Sequence, residues 1–224
     1  MANAAGCRIA CHSLPAMPQR TQQIPIPFAV LRDGKAARVT LDFADNADVS
    51  SATKWRIPQE LADDLPMQTR AADAREFARL AAKRWRHYRD TDAAAQSLPD
   101  LRNMITGDPQ GEYCFHLKVT AEWFPASLGG AMVRRTWCHH LIIDFLFVHP
   151  RISGKVMKVK GAGIQILQAI CLIAQTLGCK RVWGEATRDS ASFYEHHLSR
   201  AVEDQFSIER QEINKFAAKL LSAQ

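Results

Sequence analysis

Between Leu141 and Leu177 the chain carries an apolar run, a basic loop containing glycines, and a second, longer apolar run. Leu141–Val148 is apolar on both faces except at Asp144, the pattern of a central strand covered on both sides. Gly161–Leu177 places Leu167, Ile170, Cys171, Ala174 and Leu177 at helical steps, and Ile166 and Ile173 widen the stripe. A stripe that wide belongs to a helix packed on a sheet. The segment therefore demands a layered α/β fold. Leu167, Ile170, Ala174, Ile143 and Phe145 are expected to be buried together where helix and strand cross.

The connecting loop is chemically distinctive. From Arg151 to Arg181 the chain has Arg151, Lys155, Lys158, Lys160, Lys180 and Arg181 and no acidic residue. A helix starting at Gly161 would point its unpaired N–H groups and the positive end of its dipole back into Lys158-Val159-Lys160-Gly161-Ala162-Gly163. Glycines at such a site let an anion approach the backbone. The pattern is neither a Walker A loop nor a Rossmann fingerprint, and close packing of the helix on the sheet accounts for the glycines equally well.

Elsewhere the periodicities are simpler. Residues 1–27 contain Pro15, Pro18, Pro25 and Pro27 and no repeat, and read as a tail. Ala36–Phe43 alternates, with Val39, Leu41 and Phe43 on one side, as in a half-buried strand. Asp45–Ser51 reads as a polar turn, Arg70–Tyr88 as a helix with Ala74, Phe77, Ala78, Ala81 and Trp85 inward, and Pro99–Gly111 as a loop or short helix. Tyr113–Val119, Ala131–Trp137 and His140–His149 read as a meander, with a turn at Pro125 and Gly129-Gly130. Arg181–Ala186 is a strand, Asp189 or Ser190 caps a helix to His197, Gln205–Ile208 is a strand, and Gln211–Leu221 is a helix. With 47% hydrophobic and 23% charged residues over 224 positions, one α/β domain over 28–224 is expected, neither a disordered chain nor a disulfide-stapled miniprotein. No run of the length needed to span a bilayer occurs, and no apolar leader follows Met1. The cysteines Cys7, Cys11, Cys114, Cys138, Cys171 and Cys179 form no C-x-x-C pair, which points to a reducing, cytoplasmic compartment. Cys7, Cys11 and His12, and the pairs His139-His140 and His196-His197, are read as tail and polar surface, so no metal is expected.

The order of motifs resembles that of the GNAT-type N-acetyltransferases. It is carried by Phe147-Val148-His149-Pro150, the loop Lys158–Gly163, and Ser190-Ala191-Ser192-Phe193-Tyr194, within a motif core of about 113–198. The resemblance implies a mixed, mostly antiparallel sheet with helices on both faces and splayed central strands. It implies acetyl-coenzyme A as cosubstrate, with no metal, and direct acetyl transfer to an amine. Backbone groups near Phe147 and Val148 would bond the pantetheine arm. Lys158, Val159, Lys160, Gly161, Ala162, Gly163 and Ile164 would hold the pyrophosphate, Ser190 would sit near the cofactor, and Tyr194 would protonate the departing thiolate. The chain departs from the family pattern in having Lys158 where Gln or Arg is usual, in the length of Arg151–Lys160, and in Glu195-His196-His197-Leu198 after Tyr194.

An amine must lose a proton before it attacks a thioester, so a general base is needed. Asp144, Glu185 and His149 are the candidates, with ordered water as the alternative. Asp144 and Glu185 could equally face solvent or pair with an arginine, and Tyr194 could be a core residue. The expected partner is an amine acceptor (small molecule, peptide or protein), with a homodimer as a further assembly and no membrane. Nucleic acid is not the expected partner on this reading. The competing reading is a non-catalytic binding module. Its basic helix, with seven Lys or Arg in 70–89 and a net charge of +6 overall, would dock nucleic acid or an acidic protein through Arg75, Arg79 and Arg86, with Trp85 and Tyr88 stacking.

Overall fold

The structure is a computed structural model that describes residues 24–222; Cys7, Cys11, His12 and the expected tail up to residue 23 lie outside them. The first strand, β1 (Ile26–Arg32), begins inside the expected tail, burying Ile26, Phe28 and Val30. Next come β2 (Lys35–Phe43), α1 (Asn46–Ala52), α2 (Leu65–Arg89), β3 (Ala94–Ala95) and α3 (Leu98–Gly107). The meander is β4 (Tyr113–Ala121), β5 (Phe124–Arg135) and β6 (His140–Val148). The chain then runs through α4 (Pro150–Ser153), β7 (Val159–Lys160), α5 (Ala162–Thr176), β8 (Arg181–Glu185), α6 (Arg188–Leu198), β9 (Gln205–Glu209) and α7 (Arg210–Ser222).

The strands form one sheet in the order β7-β1-β2-β4-β5-β6-β8-β9, with β3 beside β4. Pairing is antiparallel except at β3–β4 and at β6–β8. The crossover from β6 to β8 is made by α5. The expected mixed, mostly antiparallel sheet with helices on both faces is thus present. One face is covered by α1 and α2, where Val49, Trp55, Ala78, Ala81 and Trp85 meet Cys114, Met132 and Phe147. The other is covered by α5, where Ile166, Leu167 and Ile170 meet Leu117, Val133 and Ile143. Behind α5 lies α7, contributing Ile213, Phe216, Ala217 and Leu220. Helix α5 is therefore buried nearly all round, from Ile166 to Ala174, rather than along one stripe.

The structure departs from the sequence expectations at four points. Asp45–Ser51 is a helix, because Asp45 and Asp48 form a reciprocal capping box. Gly129-Gly130 lie inside β5 rather than in a turn: a Cβ on Gly129 would come within 2.6 Å of the Phe147 carbonyl oxygen, and one on Gly130 would collide with that of Leu117. Helix α6 is capped by Thr187, not by Asp189 or Ser190. Phe145 does not share a face with Ile143. The β5–β6 register skips from Met132↔Phe145 to Val133↔Ile143, which makes Asp144 a β-bulge residue. The bulge reverses the alternation, so Phe145 packs on Phe77 of α2 while Ile143 stays with α5.

Leu167, fully buried in the core around α5, reports on this layering. Leu167→Ala is expected to cost about 2–5 kcal/mol in urea unfolding, and a loss below about 0.5 kcal/mol would contradict the packing.

Candidate functional site

Strands β6 and β8 pair only over His140–Ile143 and Arg181–Gly184. Beyond Ile143 the strands part, and the β8-facing edge of Asp144–Val148 has no strand partner among the described residues. His149 donates its amide to the Leu128 carbonyl of β5 (2.8 Å). Because main-chain groups alternate along a strand, those of Val148 and Leu146 face the other way, into the gap.

The start of α5 lies beside this gap. Gly161 is its N-cap with φ +98°, a conformation that favours glycine, and no side chain caps the helix. The first helical bond is from the Gln165 amide to the Gly161 carbonyl (3.1 Å). Among the described residues, the amides of Ala162, Gly163 and Ile164 have no acceptor, and no acid sits in the first turn. A Cβ on Gly163 would stand 3.5 Å from Phe193 of α6 and 3.9 Å from Leu146 of β6. The helix start, the open half of β6 and α6 therefore converge. Lys158 and Lys160 are exposed next to them. The residues between Pro150 and Gly161 that lengthen this loop form α4 and β7, and β7 pairs with β1 through Leu31↔Lys160 and Arg32↔Val159. The Lys158 carbonyl accepts from the Asp33 amide (2.9 Å). The backbone of Lys158–Lys160 is thus tied to β1, and the free amides begin at Ala162.

The candidate bases fare differently. The Asp144 carboxylate is buried and accepts from Arg134 Nε (2.7 Å) and Nη2 (2.9 Å) and from Arg84 Nη1 (3.1 Å). It is an ion-paired structural group, the arginine alternative of the sequence reading, and not a free base. The partnership raises the Arg134 pKa further above its ordinary value. The His149 ring is packed between Trp55 (4.7 Å) and Phe124 (4.9 Å), and its Nδ1 accepts from the Arg151 amide. Burial pushes its pKa down to about 4. A neutral ring accepting at Nδ1 carries its proton on Nε2, so His149 is a poor base. Glu185 is exposed at the end of β8, one residue beyond the last β6 pair, and makes no ion pair among the described residues. Alternation along β8 sets it on the sheet face opposite Val182, the α2 side.

Tyr194 is buried, stacked on Phe206 (3.8 Å between centroids, 14° between planes) and edge-on to Phe193. Burial raises its pKa, so the hydroxyl holds its proton through the neutral range. Ser190 is occupied in the cap of α6: its Oγ accepts from the Thr187 amide (2.8 Å). Phe147 has its ring in the α2-side core against Trp55 and His116. Trp85 is also buried there, its indole N–H given to Asn46 (2.8 Å), so it is unavailable for stacking on a nucleic acid. Sequence reasoning did not single out His116, whose period-2 position on β4 was the available signal. It is buried, and among the described residues neither ring nitrogen has a hydrogen-bond partner of normal geometry. No group of three or more His, Cys, Asp or Glu side chains placed to hold a metal occurs among the described residues, and none of their helices is long and apolar enough to cross a membrane.

No family model and no curated protein matches the chain. Among solved structures it is similar to an acetyltransferase from Bacillus cereus, at 25% identity over 43% of this chain and 71% of that one, TM-score 0.33. It is also similar to an acetyltransferase of the GNAT family from Staphylococcus aureus, at 10% identity over 72% and 81%, TM-score 0.39. A third is the PaiA N-acetyltransferase from Thermoplasma acidophilum, solved with coenzyme A, at 11% identity over 72% and 87%, TM-score 0.41. These superpositions are partial.

Burial holds the folded-state pKa of His116 at about 4, below its ordinary value of 6.5. The unfolded chain therefore binds the proton first. Stability from this group is complete above pH ~6.5 and is lost as pH falls towards ~4, by up to about 3 kcal/mol. Urea midpoints measured across that window are expected to fall with pH, and less so in His116→Met; identical slopes would contradict the burial.

Proposed function

We propose that this chain is an acyltransferase that moves an acetyl group from acetyl-coenzyme A to an amine acceptor by direct attack. The observation that carries the reading is the open edge of β6 beside an uncapped helix start. The Leu146 and Val148 backbone can accept an extended amide-bearing arm as an added strand. The free amides of Ala162, Gly163 and Ile164, the α5 dipole, and Lys158 and Lys160 suit a pyrophosphate. Acetyl-coenzyme A, when bound, supplies the acetyl thioester. Glu185 takes the proton of the amine, directly or through one water, since of the candidate bases Asp144 is ion-paired and His149 is buried, while Glu185 is exposed beside the gap without an ion pair among the described residues. Tyr194 gives a proton to the departing sulfur. The residues that hold the cosubstrate are main-chain groups, which explains why few side chains announce them.

Acetyl-coenzyme A is expected to raise the melting temperature, by an amount equivalent to about 2.7 kcal/mol at a hundredfold excess over Kd. Gly163→Glu should abolish the shift with the fold intact, because the position has ordinary van der Waals room but the carboxylate meets the phosphates. Glu185→Gln and Tyr194→Phe should keep the shift and lower kcat, each by about 10²–10⁴-fold. No shift at millimolar ligand contradicts the cosubstrate; full turnover in either variant removes that residue from the mechanism.

A further inference from the structure

A second site lies apart from the gap, between α1 and α2. A cavity of about 440 Å³ is lined by Asn46, Ser50 and Thr53 on one wall and by Arg79, Arg86 and Arg89 on the other, over a floor that includes Trp85. That volume is in the range of small-molecule sites. The arginines sit at i, i+7 and i+10 of α2 and so share one helix face. No lining residue is acidic. Arg86 has no ion pair among the described residues, Arg89 pairs only with its neighbour Asp90, and Arg79 reaches Glu76 at 3.9 Å. The floor is rigid: Trp85 is buried and bonded across to Asn46 (2.8 Å), which ties α1 to α2 under the cavity.

We infer that this cavity binds a small polyanion, a polyphosphorylated or polycarboxylate molecule. Guanidinium groups hold oxyanions through paired N–H bonds, and the Ser50 hydroxyl opposite adds a neutral donor. Arg79 and Arg86 are two helical turns apart, about 10 Å along the axis. A single phosphate therefore reaches one end of the row, and an extended polyanion reaches both.

The test is calorimetric titration of the full chain at constant ionic strength with inorganic tripolyphosphate, citrate and orthophosphate. The Gly163→Glu protein serves as host, since its other anion site is blocked. Tripolyphosphate, citrate or both should bind one to one and more tightly than orthophosphate, the better of the two naming a phosphorylated or a carboxylate ligand. Arg86→Gln and Arg89→Gln should each loosen that binding roughly tenfold or more. Ser50→Asp, on the opposite wall, should do the same, and Lys83→Gln, exposed on α2 but outside the cavity, should change nothing. The inference is overturned if Gly163→Glu protein binds neither polyanion, if orthophosphate binds equally well, or if Lys83→Gln loosens binding as much as Arg86→Gln. Because the host lacks the proposed pyrophosphate cradle, failure here leaves the acyltransferase reading standing, and loss of that reading leaves this one.

Discussion

The Asp144–Arg134 ion pair stands where β6 leaves β8, and the arrangement of the site depends on that departure. Up to Ile143 the two strands pair as parallel neighbours. At Asp144 an extra residue enters β6, and its buried carboxylate is fixed by Arg134 on β5 and Arg84 on α2. A bulge of this kind twists and redirects a strand locally. Past it, Leu146 and Val148 face the gap with free main-chain groups. Removing Asp144 would leave the half-buried Arg134 guanidinium without its partner, a loss larger than the pair contributes when intact. The bulge, the ion pair and the open edge therefore belong to one feature.

That feature also divides what was legible in the sequence from what was not. The apolar runs placed β6, α5 and the helix–sheet layering correctly, because burial on a central element is written into composition at every position. The bulge is not written there. Period-2 alternation put Phe145 beside Ile143, and a single inserted residue sent it to Phe77 instead. Pairing of Asp144 with an arginine was one of the sequence alternatives, but not which arginine: Arg84 lies 60 residues upstream, and nothing local indicates that the two meet. The capping box of α1 was hidden by its use of Asp at both ends and by a helix too short for periodicity. At β1, Pro25 just before it and Pro27 within it masked a strand that pairs with the lengthened loop.

Charge is distributed to match. The stretch from Arg151 to Arg181 lacks acids where the helix start needs none, and its two central lysines flank amides already turned outward. The basic face of α2 lies on the other side of the sheet, where α1 completes a cavity with it. Of the aromatic residues between those arginines, Trp85 is core and joins the two helices. One chain thus carries two separate anion-favouring regions. The first is made mainly of backbone, the second of guanidinium groups.

On the proposed reading, β6 past its bulge and the first turn of α5 form one binding surface for coenzyme A. Amide hydrogen exchange resolved to single residues, with and without coenzyme A, tests it most directly. Protection is expected to rise together at Leu146, Val148, Ala162, Gly163 and Ile164 and to stay unchanged at Leu141 and Ile143. If coenzyme A leaves these amides as they were, or protects only the α1–α2 region, the claim is wrong.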